Sequence, residues 1–224
     1  MSAELTPTST KPTPPATWKV GAVTIVGFVA LLYLIEAWSS LHNQSLDSDG
    51  IRPLETDGLA GILWAPLLHA NWAHLYANTG PALVLGFLVT LCGFGRFVVA
   101  TAIIWIGGGL GTWLIGNIGA HCPYVGVQCE TTHIGASGLI FGWLTFLIVF
   151  GFFTRRPWQI LVGVAVLLIY GGVLWGMLPG TFGVSWQAHT CGAIAGVCAA
   201  YLVSSPERER REKRRQPPFP GLPT

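Results

Sequence analysis

Six apolar runs of about 16 to 20 residues, close to the length of a transmembrane helix, constrain this chain more than any other feature of its sequence. A transmembrane helix needs about 20 predominantly apolar residues, and a helix satisfies its own backbone hydrogen bonds inside lipid. The pattern therefore predicts an all-α membrane protein built as a bundle of six transmembrane helices. The runs cover about residues 20–38, 74–91, 97–116, 137–153, 158–177 and 188–203.

The low charge content agrees with a membrane location. Only 10% of the 224 residues are charged, whereas a soluble domain contains about 25%. A single soluble core is the alternative interpretation, but too little polar surface would be left to cover it. The first run lacks the basic flank and the small-residue cleavage site of a signal peptide, so we expect it to be retained as a span.

Two polar tails flank the membrane domain. We expect residues 1–17 to be a disordered tail, residues 18–204 to be the six-span domain, and residues 205–224 to be a basic, Pro-rich tail. Six spans put both tails on one side, together with eleven of the twelve Lys and Arg residues; only Arg52 lies on the other side. The positive-inside rule then predicts a multi-pass protein of the plasma (inner) membrane with both termini cytoplasmic. The basic tail favours membrane lipids over nucleic acid as its partner.

Five cysteines are too few to suggest a disulfide scaffold. Cys92, Cys191 and Cys198 lie in apolar runs and are expected only to pack. Cys122 and Cys129 share one loop, and they can pair if that loop faces an oxidising compartment. Whether they do is open at this stage.

Polar side chains recur at the outer ends of three different spans. His74 and Asn78 lie at the outer end of the second span, Ser137 at that of the fourth, and His189 at that of the sixth. Each of them alone could be a satisfied loop residue. Because polar groups in lipid are costly and usually mark a site, their shared depth predicts that they meet.

Paired glycines indicate how two of these spans come together. The fourth span carries Gly138 and Gly142, and the sixth carries Gly192 and Gly196. Both pairs have the small-xxx-small spacing that lets helix backbones approach closely. We therefore expect these helices to pack tightly and to bring Ser137 beside His189.

A serine beside a neutral imidazole is the arrangement of a nucleophile and its base. We predict that His189 takes the Ser137 proton and later protonates the leaving amine. His74 and Asn78 share one helix face and can donate to an oxyanion, as can the Ser137 backbone N–H at its helix start. Gly135 is expected to admit the substrate backbone. The site is completed by Phe141, one turn after the serine, which can stack on the imidazole.

Other membrane chemistries find no support in the sequence. Glu36 is the only acidic residue in any span, whereas an aspartyl protease needs two carboxylates. A proton-coupled transporter usually carries intramembrane carboxylates as well. A helical zinc site would show His-Glu-x-x-His, which does not occur. We therefore expect no metal and no other cofactor.

Taken together, these motifs closely resemble those of the rhomboid family of intramembrane serine proteases. The resemblance covers the second, fourth and sixth spans and the loop before the second, and the order and spacing of its motifs are highly specific. The residues that carry it are Gly135-Ala136-Ser137-Gly138 with Gly142, His189-Thr190-Cys191-Gly192 with Gly196, and His69, His74 and Asn78.

The resemblance implies a rhomboid-like six-helix bundle whose cavity opens to the outside. It also implies a Ser137–His189 dyad without a third acid, an oxyanion site at His74, Asn78 and the Ser137 N–H, and a loop-ordering role for His69. Substrates would be single-span membrane proteins cut after a small residue near the outer membrane surface. They would enter beside the fifth span, which carries Gly163, Gly171 and Gly172.

Three positions depart from the family pattern. The Trp-Arg pair of the first long loop has no match here, where the stretch reads Ala60-Gly61. Phe141 replaces a frequent Tyr, and the acidic packing motif of the second span is missing. These differences concern loop stability and substrate preference rather than the dyad.

Two other functions compete with an endopeptidase. One is an inactive rhomboid-like protein that binds and guides membrane proteins, and the other is a small-molecule transporter. Inactive relatives generally lack the serine or the histidine, and both are present here. The sequence indicates neither the natural substrate nor the oligomeric state.

Overall fold

The structure, a computed structural model, describes residues 17–42, 45–119, 131–180 and 183–215. It is 80% helical, and within the described ranges the extended pairing is limited to one isolated bridge between Ile51 and His133. The eight helices of those ranges are α1 Thr17–Leu41, α2 Gly61–Trp64, α3 Trp72–Leu91, α4 Phe94–Ile115, α5 Ser137–Thr154, α6 Pro157–Tyr170, α7 Trp186–Val203 and α8 Ser205–Arg215.

The prediction of an all-α, multi-pass membrane protein is confirmed. Five helical spans are long and apolar enough to cross a bilayer, and the number rises to six if α7 and α8, which are bent by 43° at their junction, are counted as one span. The span predicted for residues 158–177 is continuous in length but changes form, because α6 gives way to a 3-10 helix at Gly171–Met177. Gly171 and Gly172 lie at this change, and glycine favours a break in the α-helix because it destabilises a helix interior.

Helix α5 is the centre of the bundle and packs against α3, α4, α6 and α7. Its largest side chains, Trp143, Phe146 and Phe150, are less than 2% exposed. Aromatic groups of this size contribute most of the buried apolar area. The many exposed apolar side chains of α1, α4 and α6 form the outer surface that faces lipid.

The tight packing of α5 on α7 follows from the paired glycines. A Cβ at Gly192 would collide with the carbonyl oxygen of Gly138, and one at Gly196 would collide with that of Gly142. Only glycine therefore allows these two backbones to lie at their observed separation. The expected close approach of the two helices is present.

Helix α6 lies at the edge of the bundle. Its described contacts are mainly with α5 and with the 3-10 turn that follows it. Of its residues, only Gln159, Gly163 and Val166 are buried. Gly163 lies directly against the α5 backbone, with a Cβ position 2.8 Å from the Leu147 carbonyl oxygen.

The basic tail begins as a helix, which the sequence did not predict because α8 has no apolar stripe. Glu207 contacts Arg96 and lies 3.5 Å from Arg156. Arg211 donates a hydrogen bond to the Phe153 carbonyl. These contacts join α8 to the start of α4, the end of α5 and the turn before α6. The Cys122–Cys129 pairing and the proposed disordered tail, apart from Thr17, lie outside the described residues.

Candidate active site

Ser137 and His189 meet where α5 and α7 begin. Ser137 Oγ lies 2.9 Å from His189 Nε2, which is a normal hydrogen-bond distance. Ser137 is the first residue of α5, so its N–H is one of the first-turn amides that have no acceptor within the helix. The imidazole is only 8% exposed. The structure therefore joins the two residues that the sequence paired by depth.

The contact made by the other imidazole nitrogen, Nδ1, determines the tautomer of His189. His189 Nδ1 lies 2.8 Å from the carbonyl oxygen of Gly176. A carbonyl only accepts, so Nδ1 carries the hydrogen and donates it, leaving Nε2 as the acceptor for the Ser137 hydroxyl. The neighbouring Thr190 donates to the Met177 carbonyl at 3.1 Å. Both acceptors lie in the 3-10 turn after α6.

Phe141 covers one face of the imidazole. Its ring stacks on that of His189 with centroids 4.1 Å apart and planes 9° apart. The contact expected from the sequence is present, and it restricts rotation of the imidazole. Gly176 packs against the same two rings. A Cβ added at this position would lie 3.1 Å from Phe141 Cζ and 3.3 Å from His189 Nδ1.

His74 and Asn78 line the other side of the serine segment. The N-cap residue Asn71 accepts a hydrogen bond from the His74 N–H at 2.9 Å, which starts α3 immediately before these residues. Asn78, buried, donates one amide hydrogen to the His74 carbonyl at 3.2 Å. A side-chain amide carries two hydrogens, so Asn78 has a second one to donate.

Gly135 holds the serine segment against these donors. Its φ of +113° lies in the region that favours glycine. A Cβ there would lie 2.7 Å from His74 Nε2 and 3.8 Å from Asn78 Nδ2. The His74 ring therefore occupies the space on this side of Gly135, and the approach of a substrate backbone to Gly135 stays a prediction.

His69 is buried beneath the site. Its ring meets that of His74 edge-on, with centroids 5.1 Å apart. Neither ring nitrogen reaches hydrogen-bonding geometry with a partner among the described residues. Burial, with a smaller contribution from the neighbouring His74, lowers the pKa of His69 to about 4, although the Leu67 backbone favours the charged ring. A neutral ring packed on His74 agrees with the loop-ordering role implied by the resemblance.

Four residues that contact the site or the segments leading to it were not identified from the sequence: Asn71, His133, Gly176 and Ser185. Asn71 and Ser185 are typical N-cap residues directly before a helix, so the capping pattern was the available signal. Gly176 acts through its backbone carbonyl, and because every residue has one, its role cannot be predicted from the residue type. In the part of the chain that the structure describes, no three His, Cys, Asp or Glu side chains are grouped to hold a metal ion.

The sequence of this chain is similar to those of a known protein family. A family model of the Rhomboid domain matches residues 57–206. An uncharacterized protein of Mycobacterium tuberculosis is 60% identical over 213 residues, which is 94% of this chain and 86% of the relative. An uncharacterized protein of Mycobacterium leprae is 58% identical over 197 residues, 87% of this chain and 76% of the relative.

A more distant relative carries the family name. This protein of Acanthamoeba polyphaga mimivirus is named as a rhomboid protein and is 30% identical over 141 residues, 62% of this chain and 72% of the relative. The match to the family model extends from the loop before α2 to the start of α8 and contains every residue of the site described above. The chain therefore belongs to the rhomboid family.

Proposed function

We propose that this protein is an intramembrane serine endopeptidase that cleaves single-span membrane proteins near the outer membrane surface. The observation that carries the proposal is the 2.9 Å contact between Ser137 Oγ and His189 Nε2. The Gly176 carbonyl holds the other nitrogen at 2.8 Å, so the imidazole is oriented to accept the serine proton. This is the relation of a nucleophile to its general base, with a carbonyl in place of a third acid.

The reaction proceeds through an acyl-enzyme. Ser137 Oγ attacks the scissile carbonyl carbon while its proton passes to His189 Nε2, and the carbonyl oxygen becomes an oxyanion. When the intermediate collapses, the C–N bond breaks and Nε2–H protonates the leaving amine. A water then attacks the ester, gives its proton to Nε2, and the same proton returns to Ser137 Oγ as the new carboxyl end leaves.

The oxyanion is stabilised from the opposite side. His74 Nε2 and Asn78 Nδ2 lie 2.7 and 3.8 Å from the position that a Cβ would take at Gly135, two residues before Ser137. The Ser137 N–H belongs to the first turn of α5, at the positive end of that helix. In a water-poor site, fixed donors of this kind supply much of the rate enhancement, about 100- to 1,000-fold for each donor.

The location of the site supports a substrate that arrives within the membrane. The dyad and the oxyanion donors all lie at the same ends of α3, α5 and α7, opposite the Arg-rich α8. With both termini cytoplasmic by the positive-inside rule, this end is the outer one. Helix α6 is the least buried span, at 11%, so a transmembrane substrate enters most readily beside it.

Cleavage in proteoliposomes tests the proposal. Purified protein is reconstituted with a tagged single-span substrate, and the products are identified by mass spectrometry. We expect one cut near the outer surface for the wild type and no product for Ser137→Ala. Ser45→Ala, which changes an exposed serine in the loop after α1, is the matched control and retains full activity.

Two results would contradict the proposal. Identical product from the wild type and Ser137→Ala would mean that another protease causes the cut. Substrate that co-purifies equally with both proteins and stays intact would favour the inactive, substrate-guiding alternative. Activity should also fall in acid, because a protonated His189 cannot accept the Ser137 proton; a flat pH–rate profile would exclude His189 as the base.

A further inference from the structure

His133 lies between the two helices that carry the dyad. It is four residues before Ser137 in the chain, is 6% exposed, and has its Nδ1 2.5 Å from Ser185 Oγ. Ser185 in turn lies four residues before His189 and is the N-cap of α7. One side-chain contact thus joins the segment that precedes the nucleophile to the residue that starts the helix of the base.

The donors and acceptors around His133 can be assigned in one consistent way. Thr131 donates its hydroxyl hydrogen to Asn117 Oδ1 at 2.8 Å, so its oxygen accepts from His133 Nε2–H at 3.2 Å. His133 Nδ1 is then bare and accepts the Ser185 hydroxyl hydrogen. The Ser185 oxygen remains available for the Ala188 N–H, which it accepts at 3.2 Å.

Neutral His133 is needed for this arrangement, because only a bare Nδ1 accepts from Ser185. Burial lowers the pKa of His133 to about 4, although the Gly116 backbone favours the charged ring to a smaller extent. The ring is therefore neutral across the range in which the proposed reaction works.

The serine segment is fixed on its other side by backbone contacts. The N–H and carbonyl of His133 pair with those of Ile51 at 2.9 and 3.0 Å. Gly135 N–H donates to the Ala65 carbonyl at 2.8 Å. These backbone bonds anchor the segment on one side. The glycine contacts fix how closely α5 and α7 pack along their length, and the His133–Ser185 contact adds a connection at the very start of α7, four residues before His189.

We propose that His133 is a positioning residue, which holds the N-cap of α7 at the distance that keeps His189 in hydrogen-bond reach of Ser137. The inference rests on the proposed protease function. A displacement of about 1 Å in a catalytic group can lower a rate about 100-fold. The contact also stabilises the first turn of α7, because it orients the Ser185 oxygen toward the Ala188 N–H.

Two substitutions separate the positioning role from simple packing. His133→Phe keeps a buried ring but has no acceptor, whereas His133→Asn has an amide oxygen near the former Nδ1 position. We expect His133→Phe to lower kcat about 10- to 100-fold with KM within about twofold, and His133→Asn to recover most of the loss. Thr90→Val is the matched control: it removes a buried hydroxyl at the opposite end of α3 and leaves kcat unchanged.

Hydrogen exchange provides a readout that does not depend on activity. In the full-length protein, peptides containing residues 186–189 should exchange faster in His133→Phe than in the wild type, and at nearly the wild-type rate in His133→Asn. If His133→Phe is not recovered folded, His133→Gln replaces it, because the acceptor is then displaced by one methylene. We expect His133→Gln to show a lower kcat and faster exchange than His133→Asn.

The outcomes distinguish the two proposals. If the wild type cleaves substrate and His133→Phe matches it in kcat and exchange, the positioning role is wrong. It is also wrong if His133→Asn loses as much as His133→Phe. If the wild type does not cleave, the protease proposal fails, and the exchange data still decide whether His133 holds the N-cap of α7.

Discussion

Gly135→Ala is the most direct test of the geometry around His74 and Asn78, the proposed oxyanion donors. The substitution places a methyl group at a backbone φ of +113°, 2.7 Å from His74 Nε2. Ordinary contact begins at about 3.4 Å, so either the ring or the serine segment must move by about 0.7 Å. The movement separates His74 from the Ser137 segment.

Gly93→Ala is the matched control for backbone strain. Gly93 has a φ of +122°, but its Cβ position is 3.8 Å from the nearest atom, Arg96 Cδ. Both substitutions carry the strain of an L-residue with positive φ, about 1–3 kcal/mol. Only Gly135→Ala adds the collision with a proposed oxyanion donor, whose loss costs about 100-fold or more in kcat.

The assay is substrate cleavage in proteoliposomes, with thermal unfolding in detergent as the measure of stability. We expect the two variants to unfold at similarly lowered temperatures, while kcat falls about 100-fold for Gly135→Ala and stays within about twofold of wild type for Gly93→Ala. Equal activity in the two variants would refute the reasoning, since strain alone would then explain every effect.

Three further predictions follow from single contacts. Gly176→Ala puts a methyl group 3.1 and 3.3 Å from the stacked rings of the site, so kinetics should show a lower kcat, while Gly172→Ala, with open space around it, should not. The pKa of His133, lowered to about 4 by burial, means that the unfolded chain binds one more proton between about pH 6.5 and 4. Stability should therefore fall as the pH is lowered through this window, and thermal scans of His133→Phe should show a shallower fall. Glu207→Gln, which leaves two arginines without their carboxylate, should lower stability by about 1–2 kcal/mol in denaturation assays, whereas the exposed Glu209→Gln should have no effect.

The transmembrane helices could be predicted because lipid leaves few choices. A long apolar run in a bilayer has to be a helix, and the predicted start of α5 at Ser137 agrees with the structure. Helix α8 could not be predicted in this way, since it is polar on every side. Its helical form is stabilised by Glu207 and Arg211, which contact distant turns that the sequence does not bring together.

The side chains at the centre of the site were predictable for a similar reason. Ser137, His189 and His74 are polar groups in apolar surroundings, and such groups stand out in the sequence. His133 lies in a loop, where a polar residue needs no special explanation. Its contact with Ser185, 52 residues later in the chain, could therefore not be predicted from the sequence. Only the tertiary structure reveals that this contact spans the two helices.

The Gly176 carbonyl explains how the proposed dyad works without a third acid. A carboxylate beside His189 would orient the ring, but a buried charge at the end of a membrane helix needs compensating partners of its own. A carbonyl orients the same nitrogen at 2.8 Å and introduces no charge. Because Gly176 belongs to the turn that ends α6, and Thr190 binds the next carbonyl of that turn, the base is held by the least buried span of the bundle. A displacement of the end of α6 next to this turn must therefore carry the turn with it or break the bond that keeps Nε2 directed at Ser137. The orientation of the proposed base is thus coupled to the position of the helix beside which we propose that the substrate enters.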